Sequence, residues 1–275
     1  MTNKDWGWGS IGLWGLVASV GLGCGGCDRL PFFTPSGQVH LLMGNPSEAG
    51  TAPDNYLIIQ PQYALSYNRD RATANWASWQ LNQSWLGSTQ RQDDFRPNTR
   101  LPIAWYQVDG DDYRGSGYDR GHLVPSGDRT ANQTDNSATF LMTNIIPQTP
   151  DNNREPWREL EEYCRSLVDQ GKELYIIAGI AGVHGEQVKL ADNQVTVPAS
   201  VWKVVIVLDQ PGLGIDGVMA NTRVIAVNMP NDEQVDDDWR SYRVSVDSLE
   251  ATTGYDFLSV ISTDIQAVIE ARIDP

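Results

Sequence analysis

Apolar and polar positions begin to alternate at Gln38-Val-His-Leu-Leu-Met and stop at the turn residues Gly44 to Ser47, which predicts a strand and a loop. Tyr56-Leu-Ile-Ile-Gln and Tyr63-Ala-Leu-Ser-Tyr are two more strand-like runs, joined by Pro61-Gln62 as a hairpin. The signal then changes. Between Ala72 and Leu86, Trp76 and Trp79 lie three apart, on one face of a possible helix. Packing accounts for these tryptophans, with base stacking as the functional alternative. A strand-like segment ending at His122 and a partner over Phe140 to Pro147 precede the strongest helix signal in the chain. There Asn152 or Asn153 can cap, Pro156 sits in the first turn, and Trp157 to Val168 run on towards Gly171. Glu173 to Gly179, Val201 to Leu208 and Thr222 to Pro230 are β-branched runs with the ends expected of central strands. Ser245 to Thr253, closed by Gly254, predicts a short helix. The fold class expected is α+β, a central antiparallel sheet flanked by helices.

Length and composition bound this picture without changing it. A chain of 275 residues, 40% apolar with ten tryptophans, supports a single core with a removable end. That end is residues 1–27, whose uncharged run from Gly7 to Gly26 is too glycine-rich for a membrane span and suits an export signal, leaving 28–275 as one domain in a secreted or periplasmic protein. Leu22-Gly23-Cys24 is placed like a lipoprotein cleavage site, although Gly21 departs from the usual residue; membrane attachment is expected only if Cys24 carries lipid. Cys24 and Cys27 allow a short disulfide or a metal half-site with no second pair, and Cys164 reads as a lone thiol packed in a helix.

Charge does change the picture. A net charge of −15 opposes tight binding of a polyanion. Yet sixteen of the twenty basic residues are arginine, nine of them between Arg91 and Arg165, and arginine suits bidentate grip on phosphate. The same window holds thirteen carboxylates, so only folding can sort the signs into a groove.

The chemistry centres on Asp119-Arg120-Gly121-His122. An imidazole beside a guanidinium, with a glycine allowing close backbone approach, pairs a general base with an anion clamp. Against this stands a plain structural role, which is also the reading for His40 in its strand and His184 on the surface. Glu161 and Arg165 lie four apart on a helical face shared with Trp157, either lining a site or forming a surface salt bridge. Asp109, Asp111 and Asp112 alternate as calcium ligands do, but the full loop pattern is absent, so they read as a solvated turn. The glycines of Gly179 to Gly185 lack Gly-Lys-Ser/Thr, which excludes a phosphate loop of that kind. A hydrolase built on Ser126 and His122 lacks the Gly-x-Ser-x-Gly elbow.

The run Asp119 to Ser126, with Thr143-Asn-Ile-Ile-Pro-Gln148 and Asp151-Asn152-Asn153 behind it, resembles the secreted DNA/RNA non-specific endonucleases of the ββα-metal type, cyanobacterial members above all. The similarity extends from Gln38 to the C-terminus and is densest between Arg91 and Arg165. It implies a ββα-metal unit in which His122 is the general base and Asn153 the direct ligand of a hydrated magnesium ion, with manganese as an alternative. Glu161 would bind water around that ion, Arg91, Arg120 and Arg165 would grip phosphate, and Asp119 would position its neighbours. The adjacent Asn152 allows a one-residue slip, and family spacing favours Asn153. The resemblance further implies cleavage of DNA and RNA, single- or double-stranded, to 5′-phosphate ends, and a proteinaceous inhibitor if the enzyme acts inside a cell. A non-catalytic nucleic-acid-binding protein on the same fold would be expected to lack His122 or Asn153, and both are present.

Overall fold

A computed structural model describes residues 37–184 and 194–275, with the backbone of Lys189–Leu190; the expected export signal and Cys24 lie outside them. The chain begins as a meander of β1 (Thr51–Ala52), β2 (Asn55–Ile59), β3 (Ala64–Asn68) and β4 (Thr73–Leu81). It leaves the sheet for β5 (Asp119–His122), α1 (Gln133–Ala138), β6 (Ile145–Gln148), α2 (Pro150–Arg154) and α3 (Pro156–Asp169). It returns as β7 (Glu173–Ala181), makes a small hairpin of β8 (Lys189–Leu190) and β9 (Val195–Thr196), and continues through β10 (Ser200–Leu208), β11 (Arg223–Pro230) and β12 (Arg243–Val244). Helices α4 (Val246–Thr253) and α5 (Thr263–Ile269) follow. The main sheet has eight strands in the order β1-β2-β3-β4-β7-β10-β11-β12, every neighbouring pair antiparallel.

Two cores lie on the two faces of this sheet. Trp79, Ile176, Val205 and Val227 pack with Trp157, Leu160 and Cys164 of α3 on one face. Trp76, Ile177, Trp202 and Val204 pack with Leu249, Phe257 and Leu258 on the other. Each large apolar side chain so buried is worth about 1.5–3 kcal/mol relative to exposure. The site layer therefore rests on one face and the C-terminal helices on the other.

Several expectations hold: the β2–β3 hairpin, the three long strands β7, β10 and β11, and α4 with Ser245 capping its start and Gly254 (φ 72°) its end. Four differ. Gln38 to Leu41 is a 3-10 turn, not a strand, because the His40 ring is tied between the Pro61 carbonyl and the Gln80 N–H, which draws the chain across the sheet end. Ala72 to Leu81 is mostly strand β4, not helix; Thr73, Asn75, Ser78 and Gln80 alternate with apolar residues, but the alternation slips by one at Ala77, close to a register shift against β3, and so leaves Trp76 and Trp79 three apart. The partner of β5 starts only at Ile145, because the Asn144 side chain is used to bind Val124 and Thr139 and bends the preceding residues into a 3-10 turn. The helix is broken: Asn152 and Asn153 lie in α2, and α3 begins afresh at Pro156, since proline disfavours helical backbone in Glu155 before it (φ −113°, ψ −95°).

Candidate active site

β5 and β6 pair with Asp119 opposite Gln148 and His122 opposite Ile145, and the chain turns from β6 straight into α2 and α3. The strands can approach because residue 121 is glycine. A Cβ there would lie 2.2 Å from Gln148 Oε1 and 2.7 Å from Gln148 Cβ. Gln148 in turn donates to Asn152 Oδ1, and Asn152 Nδ2 donates to the Pro230 carbonyl at 2.7 Å. Asn152 is thus fully buried and spent on structure, while its neighbour Asn153 lines a cleft.

That cleft, about 380 Å³, is bordered by Arg91, Arg120, His122, Asn153, Glu161 and Arg165, together with Ser126, Arg154 and Arg158. A second hollow of about 460 Å³ shares Arg91, Arg120 and Asn153 with it and adds Asp119, Tyr118 and Arg114. All seven side chains singled out from the sequence border one hollow or the other.

His122 is 8% exposed and held between Phe95, tilted at 59° with centroids 5.6 Å apart, and Phe140, edge-on at 5.0 Å. Burial and then the positive charge of Arg91 lower its pKa to about 3, so the imidazole is neutral. The ring hydrogen-bonds the Arg120 backbone, whereas Nε2 has no partner among the described residues. One nitrogen is therefore anchored and the other is left as a base.

Asn153 Nδ2 donates to Asp119 Oδ2 at 2.9 Å, which assigns the nitrogen to Asp119 and leaves the carbonyl oxygen as the end able to meet a cation. Arg154 grips Asp119 with two further hydrogen bonds of 2.8 and 2.7 Å. Partial burial is the largest single influence on the Asp119 carboxyl and opposes ionisation, yet the hydrogen bonds from Arg154 and Asn153 together hold it below the usual carboxylate range.

Glu161 does not pair with Arg165 on the helix surface. Its Oε1 lies 3.9 Å from Lys203 Nζ, which rises from β10 and rests 3.9 Å from the centre of the Trp157 ring. Burial pushes Glu161 up to about 7, opposed by the charges of Lys203 and Arg165. Arg165 bonds Asp128 at 2.9 Å, and Asp128 also accepts from Trp79 Nε1 at 2.9 Å. Arg91 bonds Ser126 Oγ at 3.1 Å and Asp93 at 2.6 Å, and Arg120 lies over the Phe95 ring at 4.1 Å. An amide oxygen and a mostly buried carboxylate lining one cleft are donors of the kind that suit a hard, hydrated divalent cation.

Other features resolve as structural. Trp76 and Trp79 are fully buried on opposite faces, so neither can stack on a base. Asp109 and Asp112 cap their own turn and Asp111 pairs with Arg114, which uses the acidic trio internally. His184 bonds Asp232 at 2.8 Å. Lys203, Asp128 and Arg154 belong to the site without having been singled out. The lone charge inside the apolar run Val201-Trp-Lys-Val-Val was the available signal for Lys203.

Two strands leading into a helix, with an uncharged imidazole opening onto an arginine-lined cleft, form the ββα-metal unit of a nuclease, set beside a large antiparallel sheet. The chain belongs to the DNA/RNA non-specific endonuclease family, whose profile matches residues 45–264. It is 56% identical over 273 residues to a nuclease from Nostoc sp. (strain PCC 7120), an alignment spanning 97% of this chain and 98% of that one. It is 29% identical over 207 residues to human mitochondrial endonuclease G, covering 71% of this chain and 67% of the relative. Among solved structures, an endonuclease G in complex with its inhibitor superposes with a TM-score of 0.69 at 24% identity, covering 82% of this chain and 92% of that one. The protein is accordingly an endonuclease, a phosphodiester hydrolase of a metal-dependent family.

Proposed function

We propose that the protein is an exported endonuclease that cuts DNA and RNA, single- or double-stranded, with His122 as general base and a hydrated magnesium ion, manganese serving as an alternative. The observation that carries this reading is the neutral, buried His122 with Nε2 unpartnered at the edge of an arginine-lined cleft. His122 takes a proton from water as that water's oxygen attacks phosphorus; the bond from phosphorus to the 3′ oxygen breaks and that oxygen takes a proton from a second water, leaving a 5′-phosphate and a 3′-hydroxyl. Arg91, Arg120 and Arg165 hold the non-bridging oxygens, and Asp119 fixes Asn153 and Arg154 in place. Asn153, with Glu161 acting through water, would hold the cation, which when bound offsets charge at phosphorus and on the leaving oxygen. Contacts confined to phosphate leave base edges unread, which agrees with activity on both sugars and on any sequence.

Export, to the periplasm or the medium, rests on the uncharged run from Gly7 to Gly26, and residues 28–275 would then be the mature nuclease domain. A lipid on Cys24 would add membrane attachment. The similar solved structure is a complex of endonuclease G with its inhibitor, which supports a proteinaceous inhibitor as a partner here. The test is degradation of plasmid DNA and of RNA with magnesium, with EDTA, and with His122→Ala. We expect metal-dependent loss of both substrates, reduced at least ~10²-fold by the substitution. Intact nucleic acid under every divalent metal tried would overturn the reading.

A further inference from the structure

On the sheet face opposite the cleft, α4 and the end of α5 bring three carboxylates together. Asp247 lies in the first turn of α4, Glu250 one turn later, and Glu270 just after the last residue of α5. One ligand-capable oxygen from each lies within 4.8 Å of the other two. Their backbones are mutually fixed, because the Asp247 N–H donates to the Glu270 carbonyl at 3.2 Å. Glu250 is oriented as well: its Oε1 accepts from the Phe257 N–H at 2.8 Å.

Surface acids alone would mean little, but Glu270 is only 6% exposed and its Oε1 has no hydrogen-bond partner among the described residues. A buried carboxylate oxygen without a donor is costly unless something positive meets it. None of the three carboxylates forms a salt bridge among the described residues. Burial raises Glu270 to about 7, and the charges of Glu250, Asp247 and Asp256 push the same way, so the cluster has no cationic group of its own to balance it.

We propose that Asp247, Glu250 and Glu270 form a second cation site, for calcium, separate from the catalytic cleft. Calcium takes carboxylate, carbonyl and water oxygens at about 2.3–2.6 Å in flexible geometry, so its ligands span up to roughly 5 Å. Magnesium is smaller, strictly octahedral and reluctant to shed its waters, and is usually held by one or two carboxylates rather than by three. Bound there, calcium ties the start of α4 to the end of α5. The segment it secures ends at Asp274, itself clamped to Arg223 by hydrogen bonds of 2.6 and 2.7 Å.

The test uses the full chain carrying Asn153→Ala, which removes the proposed direct ligand in the cleft, so that the two sites and the two readings fail separately. After chelator treatment, calcium is titrated calorimetrically and melting curves are recorded with calcium, magnesium or EDTA. We expect one calcium bound and Tm raised by several degrees, with a clearly smaller rise in magnesium. Adding Glu270→Gln should abolish both effects without lowering Tm in EDTA, and adding the exposed Asp247→Asn should weaken binding in a chain whose fold is undisturbed. Absence of calcium binding in the Asn153→Ala chain, binding unchanged by both carboxylate substitutions, or an equal response to magnesium would overturn the proposal.

Discussion

His40 and His122 are both held neutral by burial, each at about 3, reinforced by Arg129 for His40 and by Arg91 for His122. His40 is spent on tying the chain across the sheet end, whereas His122 keeps one nitrogen for chemistry. Above about pH 6.5 each is neutral whether folded or not. Below it the unfolded chain takes up protons that the folded chain refuses, so stability is lost as pH falls from 6.5 towards 3. Glu161 has the opposite sign: raised to about 7, it contributes stability below its unfolded value that is lost as pH rises through 7. In metal-free protein, His122→Asn should therefore gain stability relative to the parent by up to about 1.4 kcal/mol per pH unit between pH 6.5 and 4.5. Urea unfolding across that range measures it, and parallel pH profiles would mean that His122 is charged in the fold. At this scale the motif made His122, Arg120 and Asn153 legible. Lys203 showed only as a lone charge in an apolar run; that it serves Glu161 was not legible, because the two lie in different elements that only the fold brings together.

The ββα unit depends on how closely β5 lies on β6. Gly121→Ala would press a methyl group into Gln148, part of the chain of hydrogen bonds that runs through Asn152 to Pro230. We expect a loss of about 1–3 kcal/mol in stability, the usual range for overpacking, and a larger fall in nuclease rate, because β5 carries His122 while α2 carries Asn153. Denaturation midpoints and rates on DNA measured side by side test this, and a destabilised variant of full activity would count against it. Elements were readable where one residue type marked a boundary, as Ser245 and Gly254 do for α4. They were unreadable where a slip in the polar alternation imitated another period. β4 is the example: Trp76 and Trp79, three apart, suggested one face of a helix but point to opposite faces of a strand. Pro156 does sit in a first turn, that of α3, but Asn152 and Asn153, which read as caps, lie inside the separate helix α2, and nothing in their residue type marks the break at Glu155.

For the whole molecule, a chain of net charge −15 binds a polyanion only where folding gathers its arginines, and five of them border the cleft. Four of the five are already paired with carboxylates, Arg91 with Asp93, Arg154 with Asp119, Arg158 with Glu162 and Arg165 with Asp128, so phosphate must compete with those partners. If Arg91, Arg120 and Arg165 make the phosphate contacts, the affinity of the His122→Ala protein for duplex DNA should fall with salt at a logarithmic slope of roughly −3. Fluorescence anisotropy between low and moderate salt gives the slope; a value twice as steep would mean that other basic residues also engage. Lys203 sets a boundary on any attempt to reduce this enzyme. His122, Asn153 and Glu161 come from one short stretch that invites transplantation into a smaller scaffold, but the ammonium beneath Glu161 arrives from a strand in the middle of the main sheet. A miniature nuclease made from β5, β6, α2 and α3 alone would carry a glutamate stripped of its counter-charge, so any host scaffold must bring a lysine of its own up from below.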